Sequence, residues 1–114
     1  MLTDDLIFFS RVAGTARAAG LAVRQVRTAA ALIEAARREP PAGIILDLHN
    51  EGLDLPALLA SLREACPAMP RVVAYGSHVE AETLRAARTA GCDLVLPRSR
   101  FVELLETDLK QWIT

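Results

Sequence analysis

Ala42-Gly43-Ile44-Ile45-Leu46 runs straight into Asp47, and the polar stretch His49-Asn50-Glu51-Gly52 follows. A carboxylate at the end of such an apolar run suits either nucleophilic attack or cation binding, because open α/β sheets gather ligands beyond their strand C-termini. Other reactive side chains occupy comparable places. His49 and His78 together with Asp47 make a set that a transition metal would accept, but their spacing follows no ligand motif, so solvated loop histidines are expected. Ser77 stands beside His78. Sequence neighbours seldom face one another as nucleophile and base, and no acid is assigned to orient the imidazole. Arg11 and Arg98 carry forked guanidinium groups suited to an anion or a carboxylate. Neither a GxGxxG nor a P-loop pattern accompanies them, so a simple anion is expected there rather than a nucleotide.

Composition limits the setting for this chemistry. The chain has 114 residues, read as a single domain over 1–114 that is long enough to bury one core. Hydrophobic residues make up 52% and aromatics only 4%, so the core must rest on Ala, Val, Leu and Ile. With a formal net charge of −1 and interspersed signs, no nucleic-acid stripe is evident. The apolar runs fall short of the ~18–20 residues of a membrane span, and the acidic opening Met1-Leu2-Thr3-Asp4-Asp5 is unlike a secretion signal. Cys66 and Cys92 are isolated, as small buried thiols in a cytoplasmic protein would be.

The elements that position these residues follow from the apolar periods. Strands are expected over 6–9, 21–26, 43–48, 71–75 and 93–96, and helices over 12–19, 28–38, 55–65, 80–90 and 101–113. Thr28 is placed to cap its helix, while Gly20, Gly91 and the Pro40-Pro41 pair mark helix ends. Five strands alternating with five helices imply a parallel sheet covered on both faces. The expected fold is a flavodoxin-like three-layer α/β/α sandwich with a five-stranded sheet of order 2-1-3-4-5.

Three stretches resemble the receiver domains of two-component response regulators, and the likeness spans essentially the whole chain. They are Ile44-Ile45-Leu46-Asp47-Leu48, the turn Gly91-Cys92-Asp93, and Leu96-Pro97-Arg98. Receivers hold a divalent metal with an acidic pair after strand one and accept a phosphoryl group on the strand-three aspartate. A Thr or Ser after strand four and a Lys after strand five complete the site. The resemblance puts Asp47 at the phosphoacceptor position and Arg98 at the Lys position. Gly76 takes the hydroxyl position, with Ser77 one residue later, and Val95 takes the place of the strand-five aromatic. With strand one at 6–9, the acidic positions fall on Ser10 and Arg11, while Asp4 and Asp5 lie before the strand at the opposite edge of the sheet.

On this placement Mg²⁺ is not expected, no cofactor is implied, and Arg11 or Arg98 pairs permanently with Asp47. The reading is a non-enzymatic pseudo-receiver that signals through other proteins without phosphorylation. The resemblance points to the face of the fourth helix, fifth strand and closing helix as the partner or homodimer surface, with Arg85, Arg88, Arg100, Glu103 and Trp112 as candidates. Trp112 serves there as an anchor if exposed, and packs in the core otherwise. Two alternatives remain: a weak aspartyl phosphoacceptor at Asp47, and a small anion or flavin binder, which the scarcity of aromatics disfavours.

Overall fold

The computed structural model describes residues 1–114. Its first helix, α1 (Leu6–Ala18), begins where the first strand was expected. Asp5 caps it, its Oδ1 accepting the Phe8 N–H at 2.9 Å. Phe8, Val12 and Ala16 form the buried stripe at helical spacing, while Leu6 and Ile7 stand 54% and 86% exposed. The expected strand over 6–9 is therefore corrected: its apolar run is the first turn of a helix. The chain segment that joins the sheet there is Met1–Thr3.

The remaining elements lie close to expectation. They are α2 (Ala29–Arg38), β1 (Gly43–Asp47), α3 (Leu55–Ala65), β2 (Arg71–Gly76), α4 (Ala81–Ala90), β3 (Leu94–Pro97) and α5 (Arg98–Ile113). The Thr28 hydroxyl caps α2 and the Asp54 carboxylate caps α3, each accepting an N–H of the first turn. Gly91 ends α4 at φ 115°, a left-handed conformation that favours glycine. Helix α5 begins three residues earlier than the sequence suggests, so Arg98 belongs to its first turn.

The regular sheet is parallel, with three strands in the order β1-β2-β3. This corrects the expected five-stranded sheet. Beyond β1, pairing shrinks to single parallel bridges from Leu2 to Leu46 on one side and to Val26 on the other. The backbone bonds there are sound: Leu2 N–H reaches Ile45 O at 2.9 Å and Thr3 N–H reaches Val26 O at 3.1 Å. A segment only three residues long cannot sustain a longer ladder, and the 21–26 stretch reaches the sheet only at its end.

Alternation along the strands sends side chains to two separate cores. Ile44, Leu46, Val72, Ala74 and Val95 pack with α2, α3 and α4. Ile45, Val73 and Tyr75 pack on the other face with α1 and α5, where Phe8, Phe101 and Trp112 join them. The scarce aromatics are thus concentrated on one side of the sheet.

Candidate functional site

Because the sheet begins at Met1–Thr3, the residues leaving its first segment are Asp4 and Asp5. They share one cleft with Asp47, at the C-terminal ends of the strands, together with His49, Asn50, Tyr75, Gly76, Ser77, His78, Arg98 and Ser99. The cleft encloses about 670 Å³. The acidic positions are corrected accordingly. Ser10 and Arg11 lie on the exposed side of α1, outside the cleft, and Asp4-Asp5 stands where the pair was sought. The signal was present in the sequence: an Asp three residues before Phe8, with Phe8, Val12 and Ala16 four apart, describes a capped helix.

Asp47 is the buried member of the set, 8% exposed. Thr3 Oγ1 donates to its Oδ2 at 2.7 Å, and the His49 N–H donates to its Oδ1 at 2.9 Å. Thr3, itself fully buried, also accepts the Asp5 N–H at 3.1 Å, which couples the acidic pair to the Asp47 carboxylate. The sequence reading overlooked Thr3 because it lay outside every expected element.

The expected arginine pairing is also corrected. Arg98 Nη2 meets Asp5 Oδ2 at 3.3 Å, not Asp47, and its guanidinium lies 4.1 Å from the Phe8 ring centre. Arg11 makes no ion pair. The Phe8 N–H holds the Asp5 carboxyl below its ordinary range; burial opposes this, and the Arg98 guanidinium adds to the lowering.

His49 links the two loops that border the cleft. Its Nε2 accepts the Ser77 N–H at 3.1 Å, which puts the ring proton of the neutral form on Nδ1, facing Glu80 Oε1 at 3.8 Å. His78 is exposed on the rim, and no three His, Cys, Asp or Glu side chains converge as a ready ligand cluster. Ser77 Oγ accepts the Val79 N–H at 3.3 Å, a local turn contact. At Gly76 a side chain has little room: an added Cβ would lie 3.3 Å from Leu84 Cδ2 and 3.4 Å from Leu48 Cβ.

The donor types present suit a divalent cation, although the carboxylates do not converge on one point and would have to move together to hold it. Three carboxylates in one cleft are the hard oxygen donors that Mg²⁺ or Ca²⁺ prefers. Asn50 adds a buried Oδ1 with no hydrogen-bond donor, the kind of acceptor that a cation-held water satisfies. Asp5 must release Arg98 to take part. That pair is half-exposed, 38% at Asp5 and 51% at Arg98, so solvent screens it and little opposes the exchange.

No protein-family model and no curated relative matches the chain. Solved structures do. A response regulator signal receiver domain from Bermanella marisrubri superimposes with a TM-score of 0.81 at 20% identity, over 97% of this chain and 92% of that one. The fold is that of response regulator receiver domains. The receiver domain of NtrX from Brucella abortus matches with a TM-score of 0.75 at 24% identity, covering 96% and 95% of the two chains. A response regulator from Burkholderia pseudomallei, whose structure holds a phosphorylated aspartic acid, a calcium ion and citrate, matches at 0.73 and 23% identity, over 96% of this chain and 66% of that one.

In this receiver fold the candidate partner face is α4, β3 and α5. Arg85 pairs with Glu82 and Arg100 with Glu103, each within its own helix, and all four are exposed. Arg88 donates to Val95 O at 3.2 Å. Of the two placements open for Trp112, the core is the one found, which removes it from the candidate surface: it is 4% exposed and stacks on Phe101, with ring centres 5.1 Å apart. No helix is long and apolar enough to cross a membrane.

Proposed function

We propose that this chain is a receiver-type signalling module that accepts a phosphoryl group on Asp47 and acts through protein partners. One observation carries the reading: Asp4, Asp5 and Asp47 line a single cleft with Arg98 at its margin. The pseudo-receiver reading rested on Ser10 and Arg11 in the acidic positions and on Gly76 in the hydroxyl position; Asp4 and Asp5 in the cleft remove the first ground, and the second stands. The phosphorylated aspartic acid and calcium ion of the Burkholderia protein, which shares the fold, support the same chemistry here.

In this scheme an Asp47 oxygen attacks the phosphorus of a phosphodonor. A new Asp47 O–P bond forms as the donor's bond to phosphorus breaks, and the donor fragment leaves with the bonding electron pair. Thr3 and the His49 N–H hold the carboxylate in place, so little reorganisation is needed at the nucleophile. Arg98, once released by Asp5, offers its guanidinium to the phosphoryl oxygens. Asp4, Asp5 and Asp47 would hold the divalent cation, which supplies positive charge against those oxygens when bound.

A second reading retains one supporting observation. Gly76 offers no hydroxyl and is hemmed in by Leu48 and Leu84, which favours a module that associates with signalling partners, or with itself through α4, β3 and α5, without phosphorylation. Incubation with acetyl phosphate and MgCl₂, followed by intact-mass spectrometry, separates the two. The phosphoacceptor reading expects a gain of one phosphoryl group that vanishes in Asp47→Asn and in EDTA. An unchanged mass for the wild-type chain leaves the association-only reading.

A further inference from the structure

Asp47 and Tyr75 are partners in the β1–β2 register, so their side chains leave the sheet on the same face from strands about 4.8 Å apart. Tyr75 borders the cleft, yet its residue is only 1% exposed and its hydroxyl makes no well-formed hydrogen bond, since the neighbouring Thr3 hydroxyl already donates to Asp47 and accepts the Asp5 N–H. Buried phenols normally find one, and an orphaned O–H beside an anion-binding cleft is a donor without an acceptor. The next residue, Gly76, points to the opposite face, where Leu48 and Leu84 occupy the space. Within β2 itself the hydroxyl offered to the cleft is therefore that of Tyr75; Ser77, one residue beyond the strand, also lines the cleft, its Oγ accepting the Val79 N–H.

We propose that Tyr75 is the group that reads the occupant of this cleft, donating its O–H to an anionic oxygen of the group carried on Asp47. The aromatic row behind it then carries the change to α5. The Tyr75 ring centre lies 4.8 Å from that of Phe101, and Phe101 lies 5.1 Å from Trp112 in the last turn of α5. Phe8 touches both Tyr75 and Phe101 and lies under Arg98, so the same row also meets the cation at the cleft margin. Burial, and then the Asp47 charge, push the phenol above its ordinary range, so it keeps its proton and remains a donor at neutral pH. The change is accordingly carried on the α1–α5 side of the sheet, opposite the side where Gly76 and Val95 stand.

This inference rests on the phosphoacceptor reading, and the test keeps the two apart. Beryllofluoride with MgCl₂ serves as the probe, its binding followed by ¹⁹F NMR and by emission from Trp112, the single tryptophan. The wild-type chain is expected to bind with a change in Trp112 emission, and Tyr75→Phe to bind roughly tenfold or more weakly, as for loss of a hydrogen bond to a charged group. Tyr75→Phe keeps the ring stack and removes only the orphaned O–H, so folding is preserved. Equal affinity in the two proteins overturns the role of Tyr75, and binding without any change in Trp112 emission overturns the relay. Failure of the wild type to show bound probe that Asp47→Asn abolishes overturns the phosphoacceptor reading and this inference with it.

Discussion

Thr3 donates its hydroxyl to Asp47 Oδ2 at 2.7 Å across 44 residues of sequence, while accepting the Asp5 N–H at 3.1 Å. One small side chain thus ties the shortest segment of the sheet to the reactive carboxylate and to the acidic pair. Replacing it leaves a buried carboxylate oxygen short of a donor. Thr3→Val, nearly equal in shape, is expected to lose about 1–3 kcal/mol of stability in urea unfolding. A loss below about 0.5 kcal/mol would show that the bond contributes little.

Gly43 packs against the end of α5. A Cβ there would lie 2.6 Å from Ile113 Cα and closer still to the Trp112 carbonyl oxygen, both backbone atoms with no rotamer to change. Gly43→Ala is expected to cost about 1–3 kcal/mol and to displace the last turn of α5. Trp112 emission in the native state should shift in this variant. A native spectrum and unchanged stability would contradict the close approach.

Arg98 separates stability from ligand binding. Its contacts with Asp5 and Phe8 lie in a half-exposed position, so Arg98→Ala should change stability by less than about 1 kcal/mol. Its affinity for beryllofluoride should fall roughly tenfold, because a charge-assisted contact to the bound anion is removed. A variant that unfolds readily but binds normally would place Arg98 in the scaffold instead.

Cys92 gives a pH signature. Burial, and then the Asp93 charge, push its thiol from 9.0 up to about 11. Between those values the unfolded chain loses its proton first, so this contribution to stability is full below pH 9 and is lost as pH rises through about 11. Comparing wild type with Cys92→Ala over that range isolates the effect, and the variant should decline less steeply. Alkylation at neutral pH should also be slow until the protein unfolds.

Most of the scaffold was legible because its signals are local. The apolar runs of β1, β2 and β3, the Thr28 cap, the Leu58-Leu59-Leu62 stripe of α3 and Gly91 after α4 each declare themselves within a few residues. Asp47 was legible for the same reason, as the polar end of a continuous apolar strand. Residues 1–11 were not. Leu6-Ile7-Phe8-Phe9 is too short for periodicity to separate strand from helix, and Leu6 and Ile7 are apolar residues that the fold leaves exposed.

What the sequence alone determined is a receiver-like frame with one acid at the end of a buried strand. Which side chains join that acid was decided by tertiary structure. Leu2 takes its place through bridges to Val26 and Leu46, pairings 24 and 44 residues away that no local pattern encodes. Once Leu2 is in the sheet, Asp5 becomes a helix cap, Asp4 and Asp5 reach the cleft, and Ser10 and Arg11 turn to solvent. Non-local backbone bonds and the burial of Phe8, Val12 and Ala16 outweigh the strand preference of four apolar residues, and the acidic pair follows from that balance.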